Sequence, residues 1–173
     1  MILPQARIVQ MAFVVNDLAA AAERFSRTMG IGPFLLNPHI QLTSPHHRGV
    51  PMRTDFSLAL AQAGEVQVEL VQQHDDTPSV YRDIYAPGAE GFHHVAIIVP
   101  DVAAEVARLL ALGFEQASSG RFGDADFAYV DTAPALGHMV EVLPDNETIR
   151  RFFAKVRRAA EAWDGTGPIL RPM

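Results

Sequence analysis

Four polar side chains interrupt stretches that otherwise read as buried strands: Gln10, Glu69, His94 and Glu141. Gln10 breaks the run R-I-V-Q-M-A-F-V-V (residues 7–15). Glu69 lies in E-V-Q-V-E-L-V-Q (65–72), His94 in G-F-H-H-V-A-I-I-V-P-D (91–101), and Glu141 in H-M-V-E-V-L (138–143). An ionised carboxylate taken out of water without a partner is costly, and two of them close together also repel. A divalent cation supplies the charge that both need. One nitrogen donor and three oxygen donors suit Zn, Ni, Co, Mn or Fe as the divalent ion. Four protein ligands would leave one or two positions of an octahedron for water or a chelating substrate oxygen.

Such a ring needs a scaffold that brings distant positions together, and the chain carries an internal repeat that does so. A slide of 84 (94 − 10) sets Ala12 on Ala96, Val15 on Val99, Asp17 on Asp101 and Gln10 on His94. The closing strands match at a slide of 72 (141 − 69), which sets Glu69 on Glu141. Each copy reads strand, helix, then about three strands. Each contributes a polar residue from its first strand and a glutamate from its last. The expected organisation is a first unit over 1–73, a linker over 74–90, a second unit over 91–145, and a C-terminal helix and tail over 146–173. All belong to one structural domain.

The remaining elements follow from local signals. Asn16-Asp17 caps a helix over 18–29 with Leu18, Ala21, Ala22, Phe25 and Met29 at helical spacing, and Gly30 to Pro33 stops it. The proline-rich stretch 34–51 reads as a strand near Phe34 followed by a loop holding His39, His46 and His47. Strands are expected over 54–63 and 65–72 around a turn at Gly64, and a short helical stretch over 80–85. The second copy has a helix over 102–112, strands over 114–118, 127–131 and 138–143, and a loop over 120–124. An amphipathic helix over 145–163 and an irregular tail beyond Gly165 complete the chain. Strand alternation sends His93 to the face opposite His94 and puts His138 out of parity with Glu141. His74 reads as a further loop residue.

Composition narrows the function classes. The 173 residues are 49% hydrophobic and 20% charged, as in an ordinary globular protein. The absence of cysteine excludes disulfides, thiolate metal sites and a cysteine nucleophile. A net charge of −6 provides no basic surface for a nucleic-acid backbone. The apolar runs fall well short of the roughly 20 residues that a membrane helix needs. The opening M-I-L-P-Q-A-R lacks a basic start with an apolar core, so the expected location is cytoplasmic.

The motifs V-Q-M-A-F-V-V-N-D, V-Q-V-E-L-V-Q, G-F-H-H-V-A-I-I-V-P-D, F-A-Y-V-D-T and H-M-V-E-V-L-P together resemble the vicinal oxygen chelate superfamily. This superfamily includes glyoxalase I, methylmalonyl-CoA epimerase, bleomycin-resistance proteins and extradiol dioxygenases. The resemblance implies an α+β fold: tandem βαβββ modules forming a cup-shaped mixed sheet around one divalent metal ion, with the C-terminal helix as an addition. It implies Gln10, Glu69, His94 and Glu141 as metal ligands, with Glu69 and Glu141 as catalytic bases. The implied activity is that of a metal-dependent lyase or isomerase, lactoylglutathione-lyase-like or acyl-CoA-epimerase-like. Such an enzyme abstracts a proton next to a metal-bound carbonyl of a small carbonyl or thioester substrate. The epimerase pattern has a histidine where this chain has Gln10; the set Gln/Glu/His/Glu is similar to that of some glyoxalase I enzymes. Epimerase-like members use a further glutamate of the first module, for which Asp55 is the nearest acidic candidate. Arg121, between glycines in G-R-F-G, is the candidate for binding an anionic substrate group, and a homodimer is the family expectation. The alternatives are a non-catalytic drug- or metabolite-binding protein and a ring-cleaving dioxygenase. The second is disfavoured because its iron needs two histidines where the ring offers one.

Overall fold

The computed structural model describes residues 7–173. Residues 1–6, on which the expectation about a leader segment rests, lie outside the described residues. The chain runs β1 (Ile8–Val14), α1 (Leu18–Met29), β2 (Phe34–Asn37), β3 (Thr43–His47), β4 (Val50–Pro51), β5 (Phe56–Ala63) and β6 (Val66–Gln73). It continues with β7 (Gly91–Val99), α2 (Val102–Ala111), β8 (Glu115–Phe122), β9 (Ala125–Asp131), α3 (Ala133–Leu136), β10 (Met139–Pro144), α4 (Glu147–Glu161) and β11 (Leu170–Pro172). One mixed sheet holds the strands in the order β11-β2-β5-β6-β1-β7-β10-β9-β8-β3-β4. This is the curved α+β architecture expected from the tandem repeat.

The repeat is visible in the hydrogen-bond register. β1 and β6 pair in parallel with Gln10 beside Gln67 and Ala12 beside Glu69. β7 and β10 pair in parallel with His94 beside Met139 and Ala96 beside Glu141. The two halves meet at an antiparallel seam where Gln10 faces Ala96, Met11 faces Val95 and Ala12 faces His94. The slide of 84 carries each of these pairs onto another pair of the seam, so a local twofold axis passes between Met11 and Val95. Even the irregularities obey it. Two register shifts make Val9 the extra residue on β1 and His93 the extra residue on β7, and 93 − 9 is again 84. Helix starts repeat as well: Asp17 and Asp101 each accept a hydrogen bond at 2.9 Å, from the amides of Ala20 and Ala104. Caps of this kind contribute about 1 kcal/mol each.

α1 and α2 cover one face of the sheet. Leu18, Ala21 and Ala22 pack on Ala59, Ala61, Val68 and Leu70, while Val106 and Leu109 pack on Val95, Ile97, Val130 and Val142. The other face carries Phe56, Val71, Tyr81, Tyr129 and Met139. α4 lies against this second face and bridges the halves: Ile149 and Phe153 pack with Ala96, Ala125 and Leu143, and Phe152 and Val156 with Leu35 and Leu60.

Several local expectations are corrected by the structure. The proline-rich loop contains the β3–β4 hairpin, which leaves the first repeat and pairs with β8 of the second. Pro51 stands on the edge strand β4 and Pro45 at the register irregularity of β3, places where a missing backbone donor is tolerated. Residues 80–85 form a turn, not a helix, although Val80 and Tyr81 are fully packed. Most of the expected 120–124 loop extends β8 to Phe122, leaving a tight turn at Gly123 with φ +60°. The tail forms β11, parallel to β2, with Leu170 beside Phe34.

Candidate active site

Two rows of residues cross the centre of the sheet. One runs Glu69, Ala12, His94, Met139 and the other Gln67, Gln10, Ala96, Glu141. Neighbouring strands are about 4.8 Å apart, so side chains two strands apart can meet only by leaning over a small residue. Ala12 and Ala96 provide that floor, and both are fully buried. Over it, His94 Nε2 comes within 3.5 Å of Glu141 Oε2 and 4.0 Å of Glu69 Oε1. Gln10 stands beside them, and its Nε2 donates to Gln67 Oε1 at 3.4 Å. Gln10, Glu69 and Glu141 all line one cavity.

The structure thus brings together Gln10, Glu69, His94 and Glu141. Arg121 does not join them. It is held on exposed β8 by a bidentate pair with Asp126, while its neighbour Phe122 faces the cavity. Asp55 is also outside, bonded to His39 at 2.7 Å. Among the described residues, Glu69 and Glu141 are the acidic groups lining the cavity.

His93 is the residue that strand alternation misplaced. As the extra residue of a bulge it turns to the same side as His94, because a bulge puts two consecutive side chains on one face. Both rings are fully buried. His93 Nε2 lies 2.9 Å from the Val80 carbonyl, and His93 Nδ1 lies 2.9 Å from His94 Nδ1. A carbonyl can only accept, so His93 carries its proton on Nε2. Burial and the neighbouring His94 push its pKa down to about 3, so the ring is neutral and its Nδ1 is a bare acceptor. His94 must therefore donate from Nδ1, so that in the neutral ring Nε2 carries the free lone pair. That atom is buried and has no hydrogen-bond partner. A hydrogen bond that sets the tautomer of a histidine in this way is the usual support of a metal-ligating imidazole.

The electrostatics of the centre are strained without a cation. Burial, and then the nearby Glu141, hold the Glu69 carboxyl well above the usual carboxylate range, with the Gln10 amide working against them. Burial and the two glutamates likewise raise the Tyr81 and Tyr129 hydroxyls well above the ordinary phenol value. These phenols remain protonated donors at the cavity wall. The Tyr129 ring stacks edge-on to His94 with centroids 4.9 Å apart. A lone pair facing two carboxylates, with an amide beside them, forms a donor set that a divalent ion fits.

Apart from Asn37, Ser118 and the two tyrosines, the rest of the cavity is apolar. Phe56, Val80, Phe122 and Phe127 form its walls, and Ile149, Phe152 and Phe153 of α4 roof it. Its free volume is about 90 Å³. One water needs roughly 10–15 Å³ on this measure, so the cavity holds a few waters or a small acyl group. The floor and walls come from both repeats and from the expected linker, whose Val80 and Tyr81 alternation could not reveal. The adjacent histidine pair was the only signal in the sequence for His93.

Comparisons with known proteins agree with this architecture. No curated protein sequence matches the chain. A structure titled as methylmalonyl-CoA epimerase in complex with methylmalonyl-CoA and NH4+ is 17% identical, with a TM-score of 0.57 over 82% of this chain and 96% of that one. A hypothetical protein from Bacillus halodurans C-125 gives 16% identity and a TM-score of 0.59, over 82% and 96%. Methylmalonyl-CoA epimerase from Mycobacterium tuberculosis gives 16% and 0.53, over 83% and 90%. At these identities the likeness establishes the fold. The family model of the Glyoxalase/Bleomycin resistance protein/Dioxygenase superfamily matches residues 9–130, which include Gln10, Glu69 and His94 and end before Glu141. The chain belongs to the Glyoxalase/Bleomycin resistance protein/Dioxygenase superfamily.

Proposed function

We propose that this protein is a divalent-metal-dependent isomerase or lyase that moves a proton on the carbon next to a carbonyl or thioester group. The observation that carries the reading is the buried, unpartnered lone pair of His94 Nε2, held in its tautomer by His93 and aimed at two carboxylates. Gln10, Glu69, His94 and Glu141 would hold the ion. When bound, a Zn, Ni, Co, Mn or Fe ion would offset the carboxylate charges and polarise a carbonyl, acidifying the adjacent C–H.

The chain's own residues supply the rest. Glu141 takes the proton, and the electron pair of the broken C–H bond passes into the carbonyl as an enolate. An isomer results in one of two ways: Glu141 returns the proton to a different carbon, or Glu69, protonated at the outset, delivers its own proton to the opposite face of the same carbon while Glu141 keeps the one it took. Both bases belong to the ring because the cavity offers no third acid among the described residues. Tyr81 and Tyr129 are protonated donors for the developing oxygen charge. The roof of Ile149, Phe152 and Phe153 keeps bulk water from the enolate. The cavity size favours a short acyl chain, and the similar solved structures titled as methylmalonyl-CoA epimerases make acyl-CoA thioesters the first substrates to test.

The test pairs metal titration with deuterium exchange at the α-carbon over a panel of acyl-CoA thioesters and glutathione hemithioacetals. The reading expects one ion bound at the ring and exchange that depends on it. Exchange unaffected by chelation, or no binding of Ni²⁺, Co²⁺ or Zn²⁺ that His94→Gln weakens, sinks it.

A further inference from the structure

Outside the cavity, three side chains converge on the rim of the first repeat. His39 follows β2, Asp55 precedes β5 and His74 follows β6, and all three are exposed. Each can offer one ligand atom such that all of these atoms lie within 4.8 Å of one another. Ligand atoms around a tetrahedral Zn-type ion stand roughly 3.3–3.6 Å apart, given bonds of about 2.0–2.2 Å. Closing the difference takes only small rotations of exposed side chains.

The arrangement is braced. His39 holds a left-handed backbone at φ +46°, a conformation non-glycine residues adopt sparingly. Its ring lies 4.8 Å from the ring of His74 at 35°. Its Nδ1 sits 2.7 Å from Asp55 Oδ1. The buried Ser57 hydroxyl accepts a hydrogen bond from the His39 amide at 2.9 Å and lies 2.7 Å from His74 Nε2. With two lone pairs, this hydroxyl can accept from both and fix His74 with Nδ1 free. The His74 amide donates to the Asp55 carbonyl at 2.8 Å. The Asp55 amide in turn donates to Asp75 Oδ2 at 2.9 Å. His39 and Asp55 border a broad groove along the β3–β4 hairpin, so water or a ligand can reach them.

We propose that His39, Asp55 and His74 form a second, peripheral site for a transition-metal cation of the Zn²⁺, Ni²⁺ or Cu²⁺ class. Two imidazoles and one carboxylate select such ions over Ca²⁺ and Mg²⁺, and three ligands leave positions open toward the groove. The ion would pin the β2–β3 connection to the ends of β5 and β6. Ser57 acts as a positioning residue for His74.

The experiment is binding of Zn²⁺ and of Cu²⁺ to the full chain, read by equilibrium dialysis and, for copper, by EPR. His39→Ala and His74→Ala should each remove one equivalent relative to wild type, and Asp55→Asn should weaken that equivalent. Ser57→Ala should weaken it by about tenfold or more. Copper at this equivalent should show two nitrogen couplings in the wild type, and that signal should be absent from His39→Ala. His46→Ala and His94→Gln should leave this equivalent intact. The proposal fails if His39→Ala and His74→Ala, shown to be folded, bind as many ions as tightly as wild type. It also fails if the rim equivalent is lost in His94→Gln.

Discussion

The first and second repeats share a register but not their chemistry. In both, the closing strand places its glutamate beside the alanine of the opening strand, Ala12 with Glu69 and Ala96 with Glu141. In both, a bulge residue immediately precedes the opening-strand ring position, Val9 before Gln10 and His93 before His94. The carboxylates and their alanine floor are therefore symmetric. The neutral donors are not, since Gln10 leans on Gln67 while His94 is backed by His93 and Val80. Duplication thus explains a pair of acids over a small-residue floor. The divergence of one donor and of its bulge neighbour gives the second repeat a tautomer-fixing relay that the first lacks.

This contrast can be tested from its strongest consequence downward. Glu141→Gln should lower proton exchange by about 10²–10⁴ while the circular dichroism spectrum is unchanged, which is the usual range for removing a general base. Glu69→Gln measures the symmetry: equal losses mean both repeats supply a base, and a wild-type rate in Glu141→Gln removes the role assigned to that residue. The bulge residues differ next. His93 has a pKa of about 3 in the fold, against 6.5 for an ordinary histidine. A depressed folded value adds stability that is present above pH 6.5 and lost as the pH falls toward 3, because the unfolded chain takes up the proton first. The metal-free protein should lose a few kcal/mol over that window, at about 1.4 kcal/mol per unit. Val9 in the first repeat does not titrate, so His93→Gln should flatten the profile in acid-dependent urea unfolding.

Exchanging the donors probes the ring itself. His94→Gln makes the second repeat copy the first and should weaken binding of Zn²⁺ or Ni²⁺ by about tenfold or more, which is 1.4 kcal/mol. The swapped double variant with Gln10→His should recover part of that loss, because coupled neighbours are non-additive. No recovery would show that the His93 relay, not the count of imidazoles, decides affinity. The smallest effect concerns the roof, which packs on both repeats. Phe152 is half-buried, so Phe152→Ala should cost about 1–3 kcal/mol in urea unfolding. It should also admit longer acyl chains in the exchange assay.

Much of this molecule was legible before any coordinates. α1 spans Leu18–Met29, the range its cap and its stop at Gly30 announce, because capping is a local interaction. The slides of 84 and 72 together carry the pair Ala12–Glu69 onto the pair Ala96–Glu141, because repeated strands repeat their register. Where readings went astray, the cause was non-local. The β3–β4 hairpin forms because β8 offers an edge, and β11 forms because β2 does. Among the described residues, no helix is long and apolar enough to cross a membrane.

The sequence by itself determined the doubled plan, the two glutamates, the unequal donors Gln10 and His94, and the alanines between them. Each is a matter of residue type at a fixed spacing, which a period of two or a slide along the chain can detect. Only the tertiary structure decided that His93 faces inward, that Val80 orients it, that α4 roofs the cavity, and that Arg121 pairs with Asp126 away from it. Those facts depend on a one-residue bulge and on contacts between segments far apart in the chain. Period-two alternation cannot register an extra residue in a strand, and local pattern carries no information about which distant edge a segment will meet.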